Sequence, residues 1–365
     1  MSKRKINVGI LFGGRSAEHE VSLQSAKNVL EAIDRKKYNP ILIGIDKSGH
    51  WLLSDQANFL LNSDNPKLIK LNTAGQQVAL APQSQGQLSD LNKKINAQKI
   101  DVIFPILHGT FGEDGTVQGL LKLADIPFVG AGVLGSAIGM DKDVMKRLLK
   151  EASLPIGKFV SLKSNEKIPA YTKIKNKLGK IIFIKPANAG SSIGISKVKQ
   201  ESQYLPAIKN AFSYDNKIIF EEYIVGREIE CSVLGNDKVI ASLPGEVIAN
   251  DEFYSYEAKY INANGAKLDI PAKLPQKITQ KIQTLAIETF KTLNCEGLAR
   301  VDFFLKKNND IIINEINTIP GFTKISMYPK LWELSGISYT ELIDRLIQLA
   351  IERFVKENKL KTNYK

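Results

Sequence analysis

Short apolar runs alternate with segments of helical period in the first 140 residues of this chain. The apolar runs predict buried strands at 7–12, 40–45 and 101–107. Residues 53–98 are rich in Gln and Asn and weakly periodic, which predicts a peripheral insertion or hairpin. Strands separated by helices favour a mainly parallel sheet. The helix predicted after the first strand places on its inner side Val21, Ala26, Val29, Leu30 and Ile33.

The pattern changes after Met140-Asp141-Lys142, where an amphipathic helix is predicted that ends before Pro155. Its apolar positions are Val144, Met145, Leu148, Leu149 and Ala152. Short strands with one helix among them then favour a small antiparallel domain, with strands at 181–185, 193–198, 218–223, 229–234 and 238–242. Residues 244–275 lack periodicity, and a loop this long is usually functional or mobile. The last predicted elements are a helix at about 276–293, strands at about 298–305 and 311–317, and a helix at about 338–354.

Composition excludes several classes of protein. The chain has 365 residues, 43% of them hydrophobic and 24% charged, which argues against disorder and allows two or three domains. No apolar run approaches the ~18 residues of a membrane helix. Glycines rather than a cleavage site follow the first strand, so we expect no signal peptide and a cytoplasmic location. Cys231 and Cys295 support neither a disulfide framework nor a zinc site.

The net charge of +12 raises the question of nucleic-acid binding. The lysines, however, are spread along the whole chain, and the interior has no basic block with interleaved aromatic residues. A solvated basic surface is therefore the preferred interpretation, and we expect no nucleic-acid partner.

Two carboxylates are predicted to face each other on the late strands. A four-residue turn at 307–310 pairs Asp302 with Glu315 and Arg300 with Asn317. Carboxylates ~4.5–5.5 Å apart destabilise a ladder unless a cation lies between them. Asp, Glu and Asn oxygens without His or Cys favour Mg²⁺ or Mn²⁺ over Zn²⁺. The alternative is a solvated edge at which Arg300 pairs with a carboxylate.

Two later segments carry residues suited to a nucleotide. A buried strand ends at Lys185, and the loop Pro186-Ala187-Asn188-Ala189-Gly190-Ser191-Ser192 follows. Backbone N–H groups of such a loop can surround phosphates together with the lysine, although an ordinary flexible turn has the same composition. The segment 221–228 carries Glu221, Glu222 and Glu228, which could hold a ribose or could be surface charge.

Two glycine turns follow strands in the first half of the chain. Gly13-Gly14-Arg15-Ser16 precedes a helix start, where an anion can bind, but it lacks the glycine spacing of a dinucleotide site. Glu18 suits an ammonium group better than a phosphate. His108-Gly109, followed by Gly112-Glu113-Asp114-Gly115, repeats the arrangement, and His108 is either functional or structural.

Together these segments resemble the D-alanine–D-alanine ligases, which are ATP-grasp enzymes of peptidoglycan precursor synthesis. The resemblance covers essentially the whole chain and is weakest at 53–98. It implies an α/β fold (mixed α+β) with an N-terminal open parallel α/β substrate-binding domain at 1–140 and a two-subdomain ATP-grasp fold. The subdomains would span 141–243 and 244–365, with a lid loop at 244–275. The motifs that carry the resemblance are the segments quoted above and Tyr256-Glu257-Ala258-Lys259-Tyr260, Ala299-Arg300-Val301-Asp302, Asn314-Glu315-Ile316-Asn317, Ile319-Pro320-Gly321-Phe322-Thr323 and Ser326-Met327-Tyr328-Pro329.

The resemblance also implies the reaction and the residues that perform it. One D-alanine carboxylate attacks the γ-phosphate of ATP, and the amine of a second D-alanine displaces phosphate from the acyl phosphate. Two Mg²⁺ or Mn²⁺ ions would bind Asp302, Glu315 and Asn317, and a monovalent cation is left open. ATP would contact Lys142, Lys185, Ser191, Ser192, Glu221, Glu222, Glu228 and Lys259.

The same resemblance assigns the two D-alanine sites. Glu18 would hold the ammonium of the first D-alanine, and His108 would lie near its carboxylate. Arg300 and the Gly321 N–H would face the oxyanion, and Ser326 would hold the second carboxylate. Tyr260 would bond to Ser191 and Glu18 and close the site.

The implied partners are small molecules, with no nucleic acid and no membrane, and the family suggests a homodimer. The lid carries Tyr260 and no histidine, which favours the dipeptide over D-alanine–D-lactate. A D-alanine–D-lactate ligase, another ATP-grasp carboxylate–amine ligase and a non-catalytic nucleic-acid-binding protein are the alternatives.

Overall fold

The first sheet is built from the N-terminal part of the chain. The computed structural model describes residues 4–65, 67–91, 98–249 and 266–362. The N-terminal elements are β1 (Ile6–Gly13), α1 (His19–Ala32), β2 (Tyr38–Ile45), β3 (Trp51–Ser54), β4 (Leu60–Leu61), β5 (Lys70–Leu71), β6 (Gln76–Leu80), β7 (Leu88–Asp90), β8 (Val102–Ile106), α2 (Thr116–Leu123) and α3 (Val133–Met140).

This sheet has the strand order β7-β6-β3-β2-β1-β8. The strand β1 pairs in parallel with both β2 and β8, as the alternation of strands and helices predicts. The described part of 53–98 adds antiparallel strands at the far edge and the small ladder of β4 and β5. The five apolar residues predicted on the inner side of α1 are all buried. The carboxyl ends of β1 and β8 therefore lie side by side.

The second sheet is antiparallel and small. Its elements are α4 (Lys142–Glu151), which leads into it, β9 (Phe159–Lys163), α5 (Tyr171–Leu178), β10 (Ile182–Pro186), β11 (Ser196–Val198), α6 (Tyr204–Phe212) and β12 (Lys217–Glu222). The strand order is β11-β10-β12-β9. The one helix predicted among these strands is α6, and a second helix, α5, precedes β10 and packs on the same sheet. The prediction for α4 is wrong at Val144 and Ala152, which are exposed. Lys142 and Lys146 face inward with Met145, and Ala152 lies just beyond the end of the helix.

The third sheet holds the late strands. Its elements are β13 (Arg227–Gly235), β14 (Ile240–Ala241), β15 (Gly245–Ala249), β16 (Ala266–Asp269), α7 (Gln276–Thr292), β17 (Gly297–Leu305), β18 (Ile311–Asn317), α8 (Met327–Leu334) and α9 (Tyr339–Glu357). The strand order is β16-β15-β13-β17-β18, with β14 beside β13. The assignment of 229–234 and 238–242 to the small central domain is wrong, because β13 pairs with β17 along its whole length. The third sheet thus takes strands from both sides of residue 243, where the sequence suggests a boundary.

The segment 244–275 is more regular than the sequence suggests. The strands β15 and β16 form an antiparallel ladder from Glu246 opposite Asp269 to Ala249 opposite Ala266. The expectation of a segment without regular structure is therefore wrong at both of its ends. Its middle, 250–265, lies outside the described residues.

The helix α9 belongs to the core of the N-terminal domain. Leu342, Ile343 and Leu346 are fully buried in one cluster with Phe12 and Val29. Burying an aliphatic side chain of this size stabilises a fold by roughly 1.5–3 kcal/mol. The two ends of the chain are therefore parts of one core.

Polar contacts reinforce this packing. The Arg353 guanidinium donates to the carbonyls of Gly130 and Phe128 and lies 4.5 Å from the centre of the Phe128 ring. The Tyr38 hydroxyl donates to Asp344 Oδ1 over 2.6 Å.

No helix in the described part of the chain is long and apolar enough to cross a membrane.

Candidate active site

A cleft of about 280 Å³ lies between the second and third sheets. A smaller pocket next to it shares several of its walls, among them Gly190, Ser191, Glu230 and Glu315. The cleft is lined by the described residues predicted to contact ATP and by two of the predicted metal ligands: Lys142, Lys185, Ser191, Ser192, Glu221, Glu222, Glu228, Asp302 and Glu315. The pocket is lined by Glu18, His108, Arg300, Asn317, Gly321 and Ser326. The fold thus brings the predicted residues together, except Lys259 and Tyr260, which lie outside the described residues.

Buried lysines meet one carboxylate at the floor of the cleft. Glu221 receives ion pairs from Lys185 at Oε2 and from Lys146 at Oε1, the latter over 2.8 Å. Burial alone would raise the pKa of Glu221, but the two ammonium groups outweigh it and hold the pKa below its usual value. Glu221 therefore stays ionised and fixes both lysines.

Lys142 approaches the same region from the start of α4. The Asp141 side chain caps this helix by accepting from the N–H groups of Asp143 and Val144. The Lys142 ammonium donates to the carbonyl of Ala189 over 2.8 Å and lies 3.5 Å from Glu315 Oε2. The helix start thus ties a lysine to the loop after β10 and to β18.

The opposed pair of carboxylates forms as predicted. Asp302 lies opposite Glu315, and Arg300 lies opposite Asn317. The outer end of the hairpin differs, because Leu305 rather than residue 306 pairs with Ile311. A bulge beside Asp302 restores the predicted register at the site.

Arg300 shares the carboxylates of this edge. Its guanidinium makes two bonds to Asp302, over 2.7 and 2.8 Å, and lies 3.0 Å from Glu230 Oε2. The Asn317 amide also donates to Asp302 Oδ2 over 3.0 Å. The Arg–carboxylate pair considered from sequence is therefore present in the structure.

The donor set still fits a hard divalent cation. Two carboxylates and one amide oxygen supply only oxygen ligands, which suit Mg²⁺ and Mn²⁺. Their faces are fixed by the ladder, and Glu315 lies within ion-pairing distance of Lys142 in the cleft. The described ranges contain no group of three or more His, Cys, Asp or Glu arranged to hold a metal, and this set has two such residues together with an asparagine.

The loop after β10 reaches across to the N-terminal domain. The Ser191 hydroxyl donates to Glu18 Oε1. Gly109 and Gly190 allow this approach, since a Cβ at either position would lie 2.7 or 3.0 Å from Glu18 Oε2. Ser191 and Ser192 both adopt left-handed φ values, of 50° and 62°. Such strain persists where the surroundings fix the backbone, often beside a ligand.

His108 is bonded to the protein through both ring nitrogens. Its Nδ1 lies 3.0 Å from the Ile319 carbonyl, which only accepts, so Nδ1 carries the proton. Its Nε2 then accepts from Ser25, 3.2 Å away. Burial lowers the pKa of His108 to about 4, so the ring is neutral near pH 7. The ring lines the pocket while its polar atoms hold the loop at Ile319.

Glu113 joins two loops under the pocket and was not assigned a role from sequence. Its carboxyl accepts from the N–H of Gly109 over 2.9 Å and from the N–H of Ile319 over 3.0 Å. Burial and the nearby Glu18 raise the pKa of Glu113 to about 8. The motif Gly112-Glu113-Asp114-Gly115 was the available signal. Lys146 was also missed, because its inward position on α4 breaks the apolar pattern.

Ser326 closes the far side of the pocket. Its hydroxyl accepts from the Thr323 N–H over 2.9 Å and lies 2.8 Å from the Thr323 hydroxyl. A Cβ on Gly321 would approach Ser326 Oγ to 2.7 Å. Glycine at 321 therefore leaves room for the serine beside its backbone.

Two family models match the chain, the N-terminal part of D-Ala–D-Ala ligases at 7–131 and the C-terminal part at 148–348. The D-alanine–D-alanine ligase of Oceanobacillus iheyensis is 56% identical over 361 residues, which are 98% of this chain and 99% of that protein. The solved D-alanine–D-alanine ligase of Coxiella burnetii is 38% identical with a TM-score of 0.85, covering 97% of this chain and 96% of the other. The VanG D-Ala:D-Ser ligase of Enterococcus faecalis is 37% identical with a TM-score of 0.84, covering 95% and 100%. These matches extend over both halves of the cleft and the pocket, and this chain belongs to the D-alanine–D-alanine ligase family.

Proposed function

We propose that this chain joins two D-alanine molecules to D-alanyl-D-alanine with ATP, for peptidoglycan precursor synthesis. One observation supports this most directly. A cleft floored by Lys142 and Lys185 opens into a pocket that contains Glu18 and Arg300. The lysines of the cleft carry the positive charge that a triphosphate needs. In the pocket, the Glu18 carboxylate suits an ammonium group and the Arg300 guanidinium suits a carboxylate. Relatives named D-alanine–D-alanine ligases support D-alanine as the small molecule in the pocket.

The residues act mainly by positioning and by charge. Phosphoryl transfer requires the attacking oxygen to be in line with the bond that breaks and the charge of the phosphates to be neutralised. Lys142 and Lys185 provide the positive charge. Glu18 orients the first D-alanine by its ammonium so that its carboxylate faces the cleft. Arg300 and the Gly321 N–H stabilise the oxyanion that forms when the second amine attacks. Removing one such donor costs about 3–4 kcal/mol in the transition state.

Further roles concern the nucleotide and the second substrate. Ser191 and Ser192 cover the phosphates, Glu221 and Glu222 lie toward the adenine, and Glu228 holds the ribose. For Lys259 and Tyr260, which lie outside the described residues, the resemblance implies contact with ATP and closure of the site. Ser326 holds the second carboxylate. Water exclusion by such a closed segment protects an acyl phosphate from hydrolysis.

Asp302, Glu315 and Asn317 hold two Mg²⁺ or Mn²⁺ ions in this proposal. When bound, these ions neutralise phosphate charge that the lysines alone do not match. Activation by a monovalent cation is tested by comparing the rate of phosphate release in K⁺ and in Na⁺ at a fixed Mg²⁺ concentration.

The test is ATP-dependent phosphate release with Mg²⁺. D-alanine, L-alanine, D-alanine with D-lactate and D-alanine with D-serine are compared, and products are identified by mass. We expect release with D-alanine and the D,D-dipeptide as product. Mixed products in excess over the dipeptide would support a D-lactate or D-serine ligase instead. No release with any substrate would refute the proposal.

We also propose a homodimer in the cytoplasm, on the family resemblance. Light scattering of the purified protein is expected to give twice the mass of the chain. A mass of one chain at micromolar concentration would contradict the dimer.

A further inference from the structure

A third cavity, of about 310 Å³, lies outside the proposed active site. It is placed at the carboxyl ends of β1 and β2 and beside α2. The chain leaves β1 toward β2 on one side and returns to β8 on the other, so β1 is the point at which the strand order reverses. Crevices at such points are the usual ligand sites of open α/β sheets. The active-site pocket uses only part of this crevice.

The walls of the cavity are largely apolar. Ile45, Trp51 and Leu107 come from the sheet side, and Val117 and Leu120 come from α2. The residues Gly13, Gly14, Gly49 and Gly112 leave backbone rather than side chains at several points of the lining. A volume near 300 Å³ with apolar walls is typical of pockets for small organic molecules.

One cation lies at the cavity. Arg15 lines it, and its guanidinium is stacked 5.5 Å from the centre of the Phe111 ring. A Cβ at position 49 would lie 3.1 Å from Cδ of Arg15, so the glycine there leaves room for the Arg15 side chain to lie across the turn. In the part of the chain that the structure describes, no carboxylate forms an ion pair with Arg15.

Phe111 is held in a strained conformation beside this arginine. Its φ is +64°, which a bulky side chain rarely adopts, and the ring is 46% exposed. The bond from its N–H to Asp114 Oδ2, 2.8 Å long, stabilises the turn. Strain of this kind is concentrated at ligand-binding segments. The face of this ring attracts the Arg15 guanidinium and holds it at the cavity.

We propose that this cavity binds a small apolar monocarboxylate, such as an aryl-alkanoate. The apolar body lies against Val117 and Leu120, and the carboxylate pairs with Arg15. A single cation and apolar walls do not suit a phosphate or a nucleotide, which need several charged partners. The ligand is therefore of a different chemical class from ATP.

Occupancy of the cavity is linked to the active-site pocket. His108 lines both spaces, and the loop from Leu107 to Thr116 carries Glu113, which holds Ile319. A ligand that orders this loop changes the affinity for the first D-alanine, a statement that rests on the proposed function. The binding itself does not.

The first experiment locates the ligand by NMR on protein labelled at Ile, Leu and Val methyl groups. The probe is 3-phenylpropanoate, with 3-phenylpropanamide as the neutral analogue. We expect saturable shifts at Ile45, Val117 and Leu120 and binding roughly tenfold weaker for the amide, the usual effect of losing a bond to a charged group. Shifts confined to Val247 and Leu268 would place the probe in the active-site pocket and refute the proposal.

Variants separate the cavity from its surroundings. Arg15→Gln is expected to weaken 3-phenylpropanoate roughly tenfold and leave the amide unchanged. Leu120→Trp fills the cavity and abolishes binding, whereas Leu123→Trp, on the exposed side of the same helix, retains it. Equal binding by Arg15→Gln and wild type would overturn the proposal. Methyl shifts at the cavity that change when the protein is diluted without ligand would also overturn it. Such shifts would indicate that a second copy of the chain covers the cavity.

The second experiment measures the coupling. Saturating 3-phenylpropanoate is expected to change KM for D-alanine in the wild type and not in Leu120→Trp, with kcat little altered. A ligand that binds at the cavity with no effect on KM would refute the coupling. If the protein has no ligase activity, the NMR experiment still decides whether the cavity binds the probe.

Discussion

Replacing Glu221 by glutamine tests whether one carboxylate holds the floor of the cleft together. Glu221 lies between the ammonium groups of Lys146 and Lys185, and all three side chains are buried. The variant Glu221→Gln keeps the shape and removes the charge, which leaves two buried cations without their shared partner. Glu222→Gln, one residue further on, is the matched control. Within the described ranges, the Glu222 side chain accepts one hydrogen bond, from the Lys158 N–H over 2.7 Å, and an amide oxygen can also accept it.

The expected loss follows from the burial of the three groups. Breaking a buried ion pair typically costs about 3–5 kcal/mol. A buried lysine can lose its proton, which limits the penalty to the lower end, about 3 kcal/mol. At about 1.3 °C per kcal/mol for a chain of 365 residues, Glu221→Gln is expected to lower Tm by about 4 °C. Glu222→Gln is expected to change the free energy of unfolding by less than about 0.5 kcal/mol.

Thermal unfolding followed by circular dichroism measures both variants, at neutral and acid pH. Glu221 has its pKa held below the usual 4.5, so its contribution is present above that pH and is lost as the pH falls through the lower, folded value. The gap between wild type and Glu221→Gln should therefore narrow in acid. Equal Tm values for Glu221→Gln and Glu222→Gln at neutral pH would refute the reasoning, as would a gap that widens in acid.

Three further predictions concern the edge of the third sheet and the pocket. Asp302→Asn is expected to lower kcat about a hundredfold or more with little change in Tm, because a cation ligand is lost, while Asp310→Asn in the hairpin turn retains activity. Burial lowers the pKa of His108 from 6.5 to about 4 in the folded protein. The free energy of unfolding therefore decreases by up to about 3 kcal/mol as the pH falls through this range. His108→Gln should remove this pH dependence, as measured by urea unfolding at a series of pH values. The same dependence of stability on pH in the variant and the wild type would contradict the prediction. Glu113 has a pKa raised to about 8, so its contribution is lost as the pH rises toward 8. In the His108→Gln background, where that group no longer titrates, Glu113→Gln should flatten the fall in stability between pH 6.5 and 8.

Local pattern predicted the chemistry of the third sheet well. The alternation in β17 places Arg300 and Asp302 on one face, and this needs only the two-residue period of a strand. The turn itself was misplaced by one residue at its end, but the bulge beside Asp302 compensated for the error. The opposed pair of Asp302 and Glu315 was thus predictable although the hairpin was not fully so.

Pairings between distant segments could not be predicted in the same way. The strand β13 joins β17, some seventy residues later, and nothing in its own sequence distinguishes this partner from the central sheet. Lys146 was missed for a related reason. An inward lysine is stable only because Glu221, from another element, meets it, so its burial is a property of the pair.

The place of α9 in the first core has a consequence for how the protein is made. The ribosome releases β1 and α1 early, but the side chains that complete their core belong to the last helix. At about 5–20 residues per second, the stretch from Ile106 to Tyr339 takes roughly 10–50 s to synthesise. During that time the faces of α1 and β8 that α9 covers lack their last layer of packing. A chain that stops before Tyr339 never completes this core, so it stays exposed to chaperones and proteases.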